Sequence, residues 1–294
     1  MLEKKEAGLV TAVELKKPHI AIIYWLFFAM LIVVSCITLL PIVWVAISGF
    51  KDVQEFYAVP PVLLPKSFDF GKVKEVWQVM DYGRYYLNTI KMTVGNLVFC
   101  IMCTGLAGYV LSRLKPKGSK VVFRLIMWSL MMPACIVMVP LFQMFVDFPY
   151  FHWNFSNTYV PMWLIAGSNV FYTLMFKNNF DAIPISYIES ARLDGCSSFG
   201  IFMKIIIPLS VPVIMVVAIF TINASWSDFL YPYLLIKDQD IYPISVKLFS
   251  AVKSTFRIDQ QILAVFLAII PPVILFCFLQ KYIMAGFTMS GIKE

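Results

Sequence analysis

Few groups of residues in this sequence have the types and spacing that chemistry requires. Cys100 and Cys103 form a C-x-x-C, the spacing of a redox dithiol or of half a metal site. Gly118-Ser119-Lys120 resembles a fragment of a phosphate loop, without the upstream glycine or the hydroxyl spacing that such a loop needs. No cluster of Asp, Glu and His has metal-ligand spacing. His152 lies among Phe148, Tyr150, Phe151, Trp153 and Phe155, where it reads as part of an aromatic belt rather than as a ligand. Five further residues could meet a hydroxylated solute: Asn96, Asn169, Asn223, Trp226 and Asp228. Amides bond hydroxyls, and rings cover the C–H faces of a sugar. Asn also serves routinely in hydrogen bonds between membrane helices, so both readings of the three amides stand. Asp228 either lines a path or braces an outer gate, or it is a hydrated carboxylate at the interface.

The elements that position these residues follow from composition. Of 294 residues, 60% are hydrophobic and only 14% are charged; the mean hydropathy is +0.80. A soluble domain is about half apolar and a quarter charged. Lipid is therefore the solvent for most of the chain, which argues against a soluble enzyme, a disordered tail or a nucleic-acid-binding module. Six segments are long and apolar enough to cross a bilayer as helix: about 20–47, 87–112, 121–147, 157–177, 209–233 and 259–285. The first carries no charge and exceeds a signal-peptide core, so it reads as a retained span. The expected fold is an all-α, polytopic membrane protein. In a continuous apolar helix the C-x-x-C has no water or second ligand pair, so Cys100 and Cys103 read as packing residues. None of the six cysteines falls in an expected outer loop, and no disulfide is expected.

Charge fixes the direction. Residues 113–124 hold Arg113, Lys115, Lys117, Lys120 and Arg124 without an acid, whereas 148–158 hold no Lys or Arg. By the positive-inside rule the first loop is cytosolic and the second is outside. Six spans then place both termini in the cytosol, with residues 1–19 leading in and 286–294 as a tail. The net charge of +7 belongs to this pattern and needs no nucleic-acid partner. Residues 48–86 lie outside, where Val73, Val76, Trp77 and Met80 share one face of a short helix. Residues 234–258 also lie outside.

The cytosolic stretch 178–208 is longer than a reversal of direction requires. Pro184 suits the first turn of a helix, and Gly195 suits its C′ position. A second helix can begin with Ser197 or Ser198 as its cap and run through Phe199, Ile201, Phe202 and Ile205 until Pro208 opens the fifth span. Two short amphipathic helices hinged at a glycine either dock into a groove on a cytosolic partner or lie on the headgroups.

Glu189-Ser190-Ala191, three residues, Gly195, nine residues, Ile205, one residue and Ile207-Pro208 resemble the EAA loop of ABC-importer permeases, with Ser190 and Ile207 as the two departures. Asn88-Thr89, the stretch from Pro133 to Pro140-Leu141-Phe142, Trp226-Ser227-Asp228-Phe229 and the tail from Tyr282 to Lys293 are similar to the maltose-type carbohydrate branch. Lys177-Asn178-Asn179-Phe180 departs from that branch's Arg-Gln-Phe-Phe.

The resemblance implies a MetI-like permease fold in the prokaryotic cytoplasmic membrane. It implies a second, homologous permease subunit, a dimer of ATP-binding subunits that hold ATP and Mg, and an extracytoplasmic solute-binding protein. The chain itself would carry no cofactor and no catalytic residue. The docking residues would be Ile185, Ile188, Glu189, Ser190, Ala191, Leu193, Asp194, Gly195 and Pro208. Transport would proceed by alternating access driven through the 184–205 loop, with a sugar or oligosaccharide as cargo. The alternatives are a non-sugar solute, and a secondary carrier. A carrier should show coupling carboxylates at mid-depth or inverted repeats, and neither is visible.

Overall fold

The computed structural model describes residues 17–60, 62–252 and 256–291; the side chains of 134, 252 and 281–291 are not among those described. The N-terminal lysines Lys4, Lys5 and Lys16, Pro61 and the tail end with Lys293 lie outside these residues. The described residues are helical apart from turns, loops and one isolated bridge between Phe148 and Trp153. The chain divides into two compact units. One holds the residues up to Val73 with Arg257–Phe266, and the other holds Lys74–Phe256 with the residues from Leu267 on.

In the first unit, α1 (Pro18–Ser48) is apolar on all sides and starts on proline. Its 31 residues rise about 46 Å, against about 30 Å of hydrocarbon. After α2 (Val53–Phe56) comes a strap fixed by Glu55, whose carboxylate accepts the N–H groups of Asp52 at 3.0 Å and Lys66 at 2.9 Å. Those bonds, that from Lys66 foremost, hold the Glu55 carboxyl below its usual range. α3 (Gly71–Val79) begins in this unit, where Lys72 forms a buried ion pair with Asp259 at 2.8 Å. Val76 and the following Met80 are buried as their spacing predicts, while Trp77 is 43% exposed.

The second unit is built around α4 (Tyr82–Tyr109), which packs along α7 (Val160–Gly167), α8 (Val170–Ala182) and α12 (Val211–Ser227). A Cβ on Gly108 would stand 2.8 Å from Phe176 Cβ and 3.0 Å from the Lys177 nitrogen, so glycine is what lets α4 and α8 approach. α4 continues into a widened π turn, Val110–Leu114, closed by Lys115 N–H to Val110 O at 2.9 Å.

Three spans expected to be single helices are broken. Residues 121–147 are α5 (Ser119–Ser129) and α6 (Ala134–Val146), separated before Pro133 because proline disfavours helix in the residue ahead of it. Residues 157–177 fall in α7 and α8, which meet at Ser168–Asn169. The fifth segment ends its long helix at Ser227 and resumes as α13 (Leu230–Leu235). α9 (Ile185–Leu193), α10 (Ser198–Ile201), a π turn at Phe202–Ile206 and α11 (Ile207–Leu209) form the stretch before α12. α14 (Ile244–Val252) and α15 (Ile258–Gly291) complete the order.

Three described helices are long and apolar enough to cross a membrane, and a fourth crossing arises if the pair Ser198–Leu209 and Val211–Ser227, bent by 79°, counts as one. The bend falls at Ser210: Pro208 lies at the end of the helical stretch before it, and α12 begins at Val211. Each π turn ends two residues before a proline, Pro116 or Pro208. Proline has no N–H for the normal ladder, and the widened turn accommodates that loss.

Candidate docking elbow and membrane polar residues

The 185–209 stretch is an elbow with a buried inner side and an exposed outer side. α9 starts after Pro184, which serves as its N-cap rather than its first helical residue. It closes in a Schellman turn: Cys196 N–H donates to Ala191 O at 2.9 Å and Gly195 N–H to Arg192 O at 3.0 Å. Gly195 holds φ +78° at C′, as the spacing predicts. Ser197 is the cap of the second helix, accepting the Gly200 N–H at 3.1 Å.

Burial sorts the expected docking residues. Glu189, Ser190, Leu193, Asp194 and Gly195 are exposed, and Ile185 is 60% exposed. Ile188 and Ala191 pack into this chain's own core with Tyr109, Phe176, Phe180, Ile201 and Phe202. A helix that rests on the bundle must bury one stripe, and positions 188 and 191 are that stripe. Glu189 pairs with no basic side chain among the described residues.

The base of the elbow is bound to the inner end of α4. Arg113 donates to the carbonyls of Phe180 and Ile183. Ser112 Oγ donates to Asp181 Oδ1 at 2.6 Å, and Lys177 Nζ to Asp181 Oδ2 at 2.7 Å. Burial works against the Asp181 charge, but the bonds from Lys177 and Ser112 outweigh it and hold the carboxyl below the usual range. Tyr109 donates to Ser198 O at 2.9 Å, and its ring lies 5.0 Å from that of Phe202. Lys177, at the departure from the branch pattern, thus has a partner in Asp181, and its ammonium also lies 5.1 Å from the Phe123 ring.

The five candidate path residues do not converge. Asn96 is buried and donates to Ser225 Oγ at 2.7 Å; Ser225 donates on to Thr93 Oγ1 at 3.1 Å, so this amide links α4 to α12. Asn169 is the N-cap of α8 and accepts the Tyr172 N–H at 3.1 Å. Trp226 is buried and donates to Ala268 O at 3.1 Å, which ties α12 to α15. The Asp228 carboxylate faces the backbone N–H groups of Leu230 and Tyr231 at the start of α13. Only Asn223 is presented outward, with Ser227 one turn on and Phe220 nearby. Sequence reasoning missed Ser112, Arg113 and Tyr109. The available signal was Pro184, which has no N–H for Phe180 O; that carbonyl takes the Ile183 N–H at 3.2 Å instead and has room for a side-chain donor.

Cys100 is buried and receives the Thr221 hydroxyl at 3.3 Å, while Cys103 is exposed. Among the described residues no group of His, Cys, Asp and Glu could hold a metal ion. His152 bonds Asp147 at 2.8 Å at the exposed end of α6. At the N-terminal end of α4, Asn88 donates to the carbonyls of Asp240 and Tyr242 at 2.7 and 3.1 Å, and Thr89 accepts the Ile244 N–H at 2.9 Å. These two residues pin the 240–244 loop.

The described residues form a helical bundle with an exposed elbow on a clamped base, an arrangement compatible with a membrane permease. The family profile of binding-protein-dependent transport system inner membrane components matches residues 101–288, and the chain belongs to that family. It is a non-catalytic, multi-pass subunit of the cytoplasmic membrane. The arabinooligosaccharides transport system permease protein AraQ of Halalkalibacterium halodurans is 30% identical over 214 residues, 72% of this chain and 75% of that protein. The diacetylchitobiose uptake system permease protein NgcG of Streptomyces coelicolor is 27% identical over 90% of this chain and 86% of that protein. A bacterial ABC transporter involved in import of the acidic polysaccharide alginate shares the fold, with a TM-score of 0.78 at 21% identity over 90% of this chain and 98% of that one.

Proposed function

We propose that this chain is one of two homologous permease subunits of an ATP-driven importer for a sugar or oligosaccharide. The observation that carries the reading is the elbow: an exposed Glu189–Gly195 edge on a helix whose opposite stripe is buried in the bundle. A dimer of ATP-binding subunits, holding ATP and Mg, receives that edge. Closure of the dimer draws the elbow with it and tips the bundle between inward-open and outward-open states. The elbow biases two packings of one structure, which is what alternating access requires. Six crossings place both termini in the cytosol, with α5 and α6 as one crossing and α7 and α8 as another. An extracytoplasmic solute-binding protein delivers cargo to the outer loops. Lipid covers the outward apolar faces. The sugar rests on the named relatives, which carry oligosaccharides by their descriptions.

The test is co-purification of the ATP-binding subunits with the permease pair, alongside uptake of labelled oligosaccharides. Glu189→Lys, which reverses charge on the exposed edge, and Gly195→Pro, which cannot hold φ +78°, should each abolish association and uptake. Full association and uptake in both variants would overturn the reading.

A further inference from the structure

We propose that Arg113 and Tyr109, at the inner end of α4, are positioning residues that carry the elbow's displacement into the bundle. This inference rests on the elbow being the docking site for the ATP-binding subunits.

The weak point is the joint between α8 and α9. α8 ends at Ala182, Ile183 and Pro184 are extended, and α9 starts at Ile185. Pro184 lacks the N–H that would continue the ladder to Phe180 O. An elbow attached through this joint alone would swing about residues 183–184 when pulled. The pull would be spent in the joint instead of tilting α8.

Arg113 closes that joint. Its guanidinium donates to the Phe180 carbonyl, which lacks a Pro184 N–H and accepts that of Ile183 at 3.2 Å, and to the Ile183 carbonyl beyond the helix end. One guanidinium nitrogen, Nη2, therefore bridges the last turn of α8 and the first residue after it. A cation at a helix C-terminus also meets the negative end of the helix dipole. Tyr109, one turn earlier on α4, holds the second arm of the elbow through Ser198 O and through the ring of Phe202. Ser112 and Asp181 tie the same two helices between these points. The elbow is thus gripped on both arms by one helix, and α4 is the helix against which α7, α8 and α12 pack. With the grip in place, moving the elbow moves α4 and α8 together. Without it, the elbow still presents Glu189 to the partner but does less to the bundle.

The experiment uses the assembled importer in proteoliposomes with its solute-binding protein. It compares wild type with Arg113→Gln, Arg113→Lys and Tyr109→Phe. Three quantities are read: ATP-binding subunits retained on purification, ATP hydrolysed, and solute transported per ATP. Arg113→Gln is expected to retain the ATP-binding subunits while solute per ATP falls by about tenfold, a typical coupling free energy. Arg113→Lys keeps the charge without the planar guanidinium and should recover part of the ratio. Tyr109→Phe keeps the ring on Phe202 and should lower the ratio by a smaller factor in the same direction. An unchanged ratio in Arg113→Gln and Tyr109→Phe would overturn the proposal, as would a loss of uptake that only follows a loss of assembled complex. Failure of wild-type protein to retain ATP-binding subunits would instead strike the docking reading.

Discussion

Ser112 Oγ donates to Asp181 Oδ1 at 2.6 Å and so joins the π turn that follows α4 to the last turn of α8, two points 69 positions apart in sequence. With Lys177 on its other oxygen, the Asp181 carboxyl titrates below its ordinary value. A carboxylate with a lowered folded-state pKa contributes stability that is complete above the unfolded value, about 4, and is lost as pH falls through the folded one. Asp181 is 39% exposed, so solvent screens the interaction and the effect is modest. The melting temperature of the purified protein should exceed that of Asp181→Asn by a constant margin from pH 8 to pH 5, in steps of about one unit. The margin should close as the buffer is made more acidic. A margin that widened in acid would show that Asp181 is not held ionised by these partners.

The elements that follow from local rules were the legible ones. α1, α4 and α15 are long uninterrupted apolar runs, and Gly195 marks a helix end because φ +78° suits glycine. The breaks at Ser168–Asn169, Ser210 and Asp228–Phe229 were not legible, because hydropathy is continuous through all three. Asn169 and Asp228 look like path residues to composition, yet each serves the start of a helix. Trp226 suits a sugar face by type, and its Nε1–H is bound to Ala268 O. Arg113 was read as topology alone, since a basic residue at a cytosolic helix end satisfies the positive-inside rule without further cause. Its partners lie about 70 residues away and arise only when α4 and α8 pack.

Gly195 separates conformation from contact. An added Cβ would meet nothing within 4 Å, so any cost comes from the positive φ. Gly195→Ala should destabilise the chain by about 1 kcal/mol, and Gly195→Asn by less, because Asn enters this region more readily. Both should retain the ATP-binding subunits where Gly195→Pro does not. Chemical unfolding in mixed micelles measures the first effect and co-purification the second. Loss of association in Gly195→Asn without loss of stability would mean that the bare backbone at 195 itself touches the partner.

Gly83 and Gly108 lie on the same helix and should respond oppositely to alanine. Nothing lies within 4 Å of a Cβ on Gly83, whereas one on Gly108 would press on Phe176 and the α8 backbone. Gly83→Ala should stabilise by about 0.5–1 kcal/mol through lower unfolded-state entropy. Gly108→Ala should destabilise by about 1–3 kcal/mol as α4 and α8 are forced apart. The same shift would stretch the bonds of Arg113 and Ser112 to α8, so Gly108→Ala should also lower solute transported per ATP. Equal melting shifts in the two variants would contradict the close approach of α4 and α8.

The chain Asn96–Ser225–Thr93 joins α4 to α12 in the middle of the bundle, and Asn96 Oδ1 is left buried without a partner. Hydrogen bonds between membrane helices contribute about 0.6 kcal/mol on average and rarely exceed about 1.7. Ser225→Ala removes the acceptor of Asn96 and the donor to Thr93 at once, so it should cost about 1–2 kcal/mol, near the top of that range. Asn96→Leu in the Ser225→Ala background removes the stranded amide as well, and the double variant should then be more stable than Ser225→Ala alone. The unfolding free energies of the four proteins form a cycle whose interaction term measures the bridge. Additive losses would mean that Asn96 and Ser225 are held by their separate surroundings and that α4 and α12 associate through packing alone.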